Sequence, residues 1–136
     1  AIGFANPEMK TIILNINSNE EIFRRVIHHE IFHIIHKNFE SHFNEVIWGK
    51  FNNSEFKYSQ CSTCKKDIGL NILSKTNGFF TKYAKTNVSE DMAETFSFIV
   101  INNEYIQKKI DDDLIIKNKT IFIKENILNI YENFKF

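Results

Sequence analysis

The chain has 136 residues, 17 acidic and 17 basic side chains and no net charge at neutral pH. That length suits one domain able to bury a core without staples, and the charge balance excludes the basic excess that a nucleic-acid or anionic-membrane partner requires. Fourteen phenylalanines against one proline and four glycines mark a globular, helix-tolerant composition, and apolar runs such as "TIIL" and "FIVI" are far too short to span a bilayer.

In chain order, "KTIILNIN" (10–17) is rich in isoleucine and alternates loosely, which predicts a strand. "SNEE" follows, with Ser18 placed to cap a helix and Glu21 to complete a capping box. Ile22, Phe23, Val26, Ile27, Phe32, Ile34 and Ile35 then form a broad apolar face, predicting a helix to about Lys37. A second helical pattern runs through Phe39, Phe43, Val46 and Ile47. From Gly49 to Asn87 the chain is less regular, with turn signals at "NNS", "SQCSTC" and "TNG". Helical patterning returns at 89–106 and at 119–134. No signal peptide, repeat, low-complexity tract or linker interrupts it. The fold expected is α+β and mainly helical, in one domain over 1–136.

Cys61 and Cys64 form a C-x-x-C pair in the irregular stretch. A structural zinc site needs four ligands and a thioredoxin-like site needs a βαβ context; neither is present. The pair is expected to be two loop cysteines, reduced or joined locally.

The chemistry concentrates in "VIHHEIFHIIHK" (26–37). His29-Glu30-Ile31-Phe32-His33 is H-E-x-x-H. Residues i and i+4 of a helix share a face, so His29 and His33 can both aim a ring nitrogen at one ion about 2.0–2.1 Å away. Glu30 lies about 100° round the helix, where it reaches a water without ligating the metal. His28 points off that face and is expected to be solvated. His36 shares it and is expected near the site or at the surface.

A catalytic zinc needs a third protein ligand and one open position. The extension H-E-x-x-H-x-x-G-x-x-H is absent, since positions 36 and 39 are His and Phe. The search moves to "SEDMAETF", where Glu90 and Glu94 are four apart and share a helical face while Asp91 lies off it. Either glutamate could ligate the metal, leaving the other to hold a ligand histidine from behind. An acidic first helical turn is the plainer reading of the same residues.

The longer stretch "TKYAKTNVSEDMAETF" (81–96) resembles the second active-site segment of the gluzincins related to anthrax lethal factor and the Pro-Pro endopeptidases. The matching positions are Tyr83, Thr86-Asn87, Glu90, Ala93-Glu94 and Phe96. "WGKFNNSEFKY" (48–58) is similar to a segment of bacterial zinc-binding metallopeptidases, with Asn53 where that family has proline. The resemblance spans roughly 10–134. It implies a zincin-like catalytic domain: an active-site H-E-x-x-H helix, a second ligand-bearing helix, a C-terminal helix and a small N-terminal strand region. It implies Glu90 as third zinc ligand, Tyr83 as the group polarising the scissile carbonyl, and Glu94 behind a ligand. It also implies a secreted or cell-surface setting, and upstream strands and exosites that are missing or short here.

The function expected is a zinc-dependent endopeptidase with one catalytic Zn²⁺, acting on a protein or peptide. Zinc would acidify a water toward neutral pH, Glu30 would handle the proton, and Tyr83 would meet the developing oxyanion. The strand at "TIILNIN" is either an interior strand or the edge that pairs with an extended substrate. The alternatives are a zinc-bearing, catalytically weak pseudoenzyme or binding module, and a metal-free helical interaction domain.

Overall fold

The computed structural model describes residues 2–61 and 69–136. Strands β1 (Gly3–Asn6) and β2 (Thr11–Leu14) pair antiparallel, with Gly3 opposite Leu14 and Asn6 opposite Thr11. The turn between them closes on the Asn6 side chain, which accepts from the Met9 N–H at 3.0 Å. The strand expected at 10–17 therefore exists, but only over 11–14. Beyond Leu14, Asn15 takes the Asn17 N–H and the Ser18 hydroxyl into local bonds, which compete with the ladder. β1 lies outside the predicted strand: "GFAN" is too short to show a period.

Helix α1 (Glu20–Asn38) begins one residue later than the capping box suggests. Asn19, not Ser18, caps it, accepting from the Ile22 N–H at 2.9 Å, because the Ser18 hydroxyl turns back to Asn15. The second helical pattern shrinks to the short α2 (Glu45–Gly49), capped by Asn44. Phe43 and Trp48 are buried, whereas Val46 and Ile47 are exposed, so the apolar spacing there was not a helix face. Among the described residues, the segment after α2 is irregular, as expected, apart from an isolated bridge between Ile72 and Thr81 and a 3-10 turn at Tyr83–Lys85.

The single helix expected over 89–106 is two. Helix α3 (Val88–Ile101) stops at Asn102, which takes the left-handed conformation (φ 41°), and Asn103 caps α4 (Glu104–Asp112). Asparagine tolerates both jobs, so a consecutive pair ends one helix and starts the next. Helix α5 (Leu114–Ile130) starts five residues before the predicted 119, since Asp113 accepts from the Ile115 and Ile116 N–H groups.

Helix α3 is the axis of the packing. Every residue from Asp91 to Ile99 is buried. Met92, Ala93, Phe96 and Ile99 meet Phe32 of α1, Phe43, Trp48, and Ile123 and Ile127 of α5. Phe98 joins Phe80, Ile106, Ile110 and Ile116 in a second cluster. Each buried Phe, Ile or Met among them contributes about 1.5–3 kcal/mol by leaving water. One polar knot lies inside. Asp91 Oδ2 accepts from Lys119 Nζ (2.7 Å), Trp48 Nε1 (2.8 Å) and the Tyr58 hydroxyl (2.6 Å). Lys119 also donates to the Gly78 carbonyl at 2.7 Å. The described residues thus make a mainly helical α+β chain with one two-stranded sheet. No described helix is long and apolar enough to cross a membrane.

Candidate metal centre

Helices α1 and α3 lie side by side and aim three donor atoms at one point. His29 and His33 stand one turn apart on α1, with their Nε2 atoms 3.1 Å from each other. Glu90 Oε2 is 2.8 Å from His29 Nε2 and 3.3 Å from His33 Nε2. Glu90 reaches this point because Asn87 caps α3: its side chain accepts from the Glu90 N–H at 2.9 Å and fixes the first turn against α1.

The set fits a zinc ion. Two imidazoles and one carboxylate are the ligand chemistry of an open catalytic site. A tetrahedral ion with bonds of about 2.0–2.1 Å spaces its ligand atoms roughly 3.3–3.4 Å apart, so the triangle needs to open by about half an ångström at most. Both imidazoles are also oriented from behind. Glu94 Oε1 lies 3.0 Å from His29 Nδ1. An ionised carboxylate only accepts, so Nδ1 donates to Glu94, and Nε2 is the nitrogen that would give up its proton to take a metal. Ser89 Oγ stands 3.2 Å from His33 Nδ1 in the corresponding position. Among the described residues, His29, His33 and Glu90 form the group able to hold a metal ion.

Electrostatics follow from this crowding. Burial alone would lower the His29 imidazole, but its bonds to Glu90 and Glu94 outweigh that and push it up to about 10. Burial works against the Glu90 charge, yet the two histidines hold its carboxyl well below the ordinary range. Glu94 is likewise lowered: burial opposes its charge, while His29, Arg25 and Thr81 favour it.

Glu30 follows His29 on α1 and is buried. Strand β1 crosses directly over it. A β-carbon at Gly3 would stand 2.7 Å from Glu30 Oε1 and 2.6 Å from Val26 Cγ1, so glycine is what lets the strand approach. Burial raises the Glu30 carboxyl above its ordinary value, outweighing the neighbouring histidines and the nearby Ala5 backbone, which lower it. The strand over Glu30 is thus β1, with the expected "TIILNIN" strand paired to it as β2.

Tyr83 sits in the 3-10 turn before α3, half-buried, its ring centroid 5.8 Å from that of His29. Its hydroxyl faces the Glu90 carboxylate. Burial first, then the charge of Glu90, pushes its pKa well above the usual tyrosine value. An open cleft of about 720 Å³ leads away from His33, Ser89 and Glu90, past Ala5 and Pro7, towards Val46.

The other candidates fall elsewhere. His36 lines that cleft and is buried, its ring against Phe32 and Phe43, so it is not a surface histidine. His28 is half-buried on another face beside Arg24 and Ile101. Asp91 turns away from the metal centre into the polar knot. Cys61 is half-buried, and Cys64 lies outside the described residues. Sequence reasoning did not find Ser89, the Ala5 backbone or Thr81. The last two come from outside either ligand helix, and no spacing rule connects them to it.

Neither a curated protein nor a solved structure matches the chain significantly. One family profile matches residues 3–135, a stretch that takes in β1, both ligand helices and the Tyr83 turn. With almost its whole length aligned, the chain belongs to the family described as "putative zinc-binding metallo-peptidase".

Proposed function

We propose that the chain is a zinc-dependent endopeptidase of the gluzincin type on a zincin-like fold, with His29, His33 and Glu90 as ligands of one zinc ion. The observation that carries this reading is the convergence of those three donors with Glu30 and Tyr83 beside them. When bound, the ion supplies Lewis acidity, which makes a water acidic near neutral pH and polarises a peptide carbonyl.

The chain's own residues supply the rest. Glu30 accepts a proton from the attacking water and passes it to the leaving amine. A carboxyl raised by burial suits both halves of that transfer better than an ordinary one. Tyr83 donates a hydrogen bond from its hydroxyl to the oxyanion, turning from Glu90 to the substrate oxygen. Its raised pKa keeps the proton in place at any working pH. Glu94 and Ser89 hold the two imidazoles so that Nε2 faces the ion. An extended peptide adds to the outer edge of β1, the strand that lies over Glu30.

The decisive comparison is between wild type and Glu30→Gln in zinc content and in turnover of a peptide library. Wild-type cleavage with one zinc per chain, and a Glu30→Gln variant that keeps zinc but not cleavage, are the expected results. One zinc per chain with no cleavage of any library peptide would identify a zinc-bearing binding module instead. A chain that takes up no zinc would refute the reading altogether.

A further inference from the structure

Thr81 lies on neither ligand helix, yet it is fully buried within reach of both the metal centre and the Tyr83 turn. Its hydroxyl donates to Glu94 Oε2 at 2.6 Å and accepts from the Ala84 N–H at 3.1 Å. The other Glu94 oxygen, Oε1, takes the His29 Nδ1 proton. One hydroxyl therefore uses its donor on the carboxylate behind a ligand histidine. It uses a lone pair on the backbone of the turn that carries Tyr83. The Thr81 backbone is itself anchored, through its bridge to Ile72 and the neighbouring bond from the Leu73 N–H to the Phe80 carbonyl at 2.8 Å.

We infer that Thr81 is a positioning residue that locks the His29 imidazole and the Tyr83 phenol into one register. The inference rests on the zinc endopeptidase reading above. The physical argument concerns Glu94. A buried carboxylate keeps its orientation only while both oxygens are bonded. Thr81 fixes Oε2, so Oε1 stays on the line of His29 Nδ1, and Nε2 stays aimed at the ion. The same oxygen atom of Thr81 ties down the first free N–H of the 3-10 turn. Loss of the hydroxyl frees the carboxylate to rotate and lets the turn shift, so ligand and oxyanion donor lose their fixed relation together.

A core-filling threonine would behave differently, and two substitutions separate the roles. Thr81→Val keeps the shape and removes the hydroxyl. Thr81→Ser keeps the hydroxyl and removes the methyl. The measurements are the zinc dissociation constant by competition with a chromophoric chelator, kcat and KM on a library-derived peptide, and the Tm of the zinc-free protein. For a positioning role, Thr81→Val binds zinc about 10- to 100-fold more weakly, as with other partners behind metal ligands. It also loses kcat at nearly constant KM, while Thr81→Ser stays close to wild type in both. For a core-filling role the order reverses: Thr81→Val matches wild type and Thr81→Ser loses Tm.

Should Thr81→Val be unfolded at the assay temperature, Thr81→Cys replaces it. A thiol is a weak donor, so an intermediate loss of zinc affinity is expected, and wild-type affinity would overturn the inference. Wild-type zinc affinity and kcat in Thr81→Val, with the parent enzyme active, overturn the positioning role and leave the endopeptidase standing. A parent that binds zinc but cleaves nothing overturns the endopeptidase reading, while the zinc comparison still decides Thr81. A parent that binds no zinc overturns both.

Discussion

Tyr83 shows what burial beside carboxylates does to a phenol. Glu90, Glu94 and Glu30 all raise its pKa, after burial has done most of the work. The group is thereby kept as a donor, and its ring is held against His29. Tyr83→Phe keeps that ring and deletes only the donor. The expected outcome in steady-state kinetics is a fall in kcat on the order of 10²-fold with zinc content and Tm unchanged. An unchanged kcat would take the phenol out of the reaction. At this scale the spacing rules carried part of the way: His29 and His33 meet because i and i+4 share a helix face, whereas spacing left Glu90 and Glu94 open and the family resemblance alone singled out Glu90. Thr81 and Ser89 were not legible. Their partners are 13 and 56 residues away in the chain, and a lone hydroxyl has no pattern of its own.

Elements fared unevenly for one physical reason: helix ends are set by side-chain caps, and hydrophobic period says nothing about caps. Asn19, Asn44, Asn87, Asn103 and Asp113 each accept an N–H at a helix start. Four of the five are asparagines in a chain where asparagine is too common to be conspicuous. Asp113 does more than cap. It also accepts from the Thr76 hydroxyl and the Gly78 N–H at 2.7 Å, tying the start of α5 to the turn that leads into Tyr83. Burial opposes its charge, but those bonds outweigh it and lower its pKa below the ordinary aspartate value. A depressed carboxylate contributes stability above its unfolded pKa of about 3.9 and loses that contribution as pH falls through the folded value. Asp113→Asn should therefore unfold at lower Tm than wild type at neutral pH, with the gap narrowing as acid is added below about pH 4. Thermal melts of the two proteins across that range decide it, and a gap that widens in acid would contradict the assignment.

For the whole molecule, the knot around Lys119 and Asp91 decides how the pieces hold together. It joins α5, α3, α2 and the Tyr58 segment, and neither side chain of the ion pair is exposed. Burial pushes Asp91 up and Lys119 down, so each charge depends on the other. Lys119→Met leaves Asp91 buried without a counter-charge, a change that costs about 3–5 kcal/mol. A urea titration should show that loss, and Asp91→Asn added to Lys119→Met should recover part of it. A double variant no more stable than the single would mean that packing, not charge, is what the lysine supplies. A lysine inside a helix pattern is ordinarily solvated, which is why nothing in the sequence pointed to this role.

Helix α3 has no outward face between Asp91 and Ile99. A helix enclosed on every side is under constraint at every position, because each side chain has a neighbour to satisfy. Diversification has nowhere to go on the helix that carries the candidate ligand Glu90 just ahead of this enclosed run. Any retuning towards a new substrate, by natural selection or by engineering, falls to the rim of the cleft. There Pro7, Glu45 and Val46 can change without disturbing the ground on which Glu90 stands.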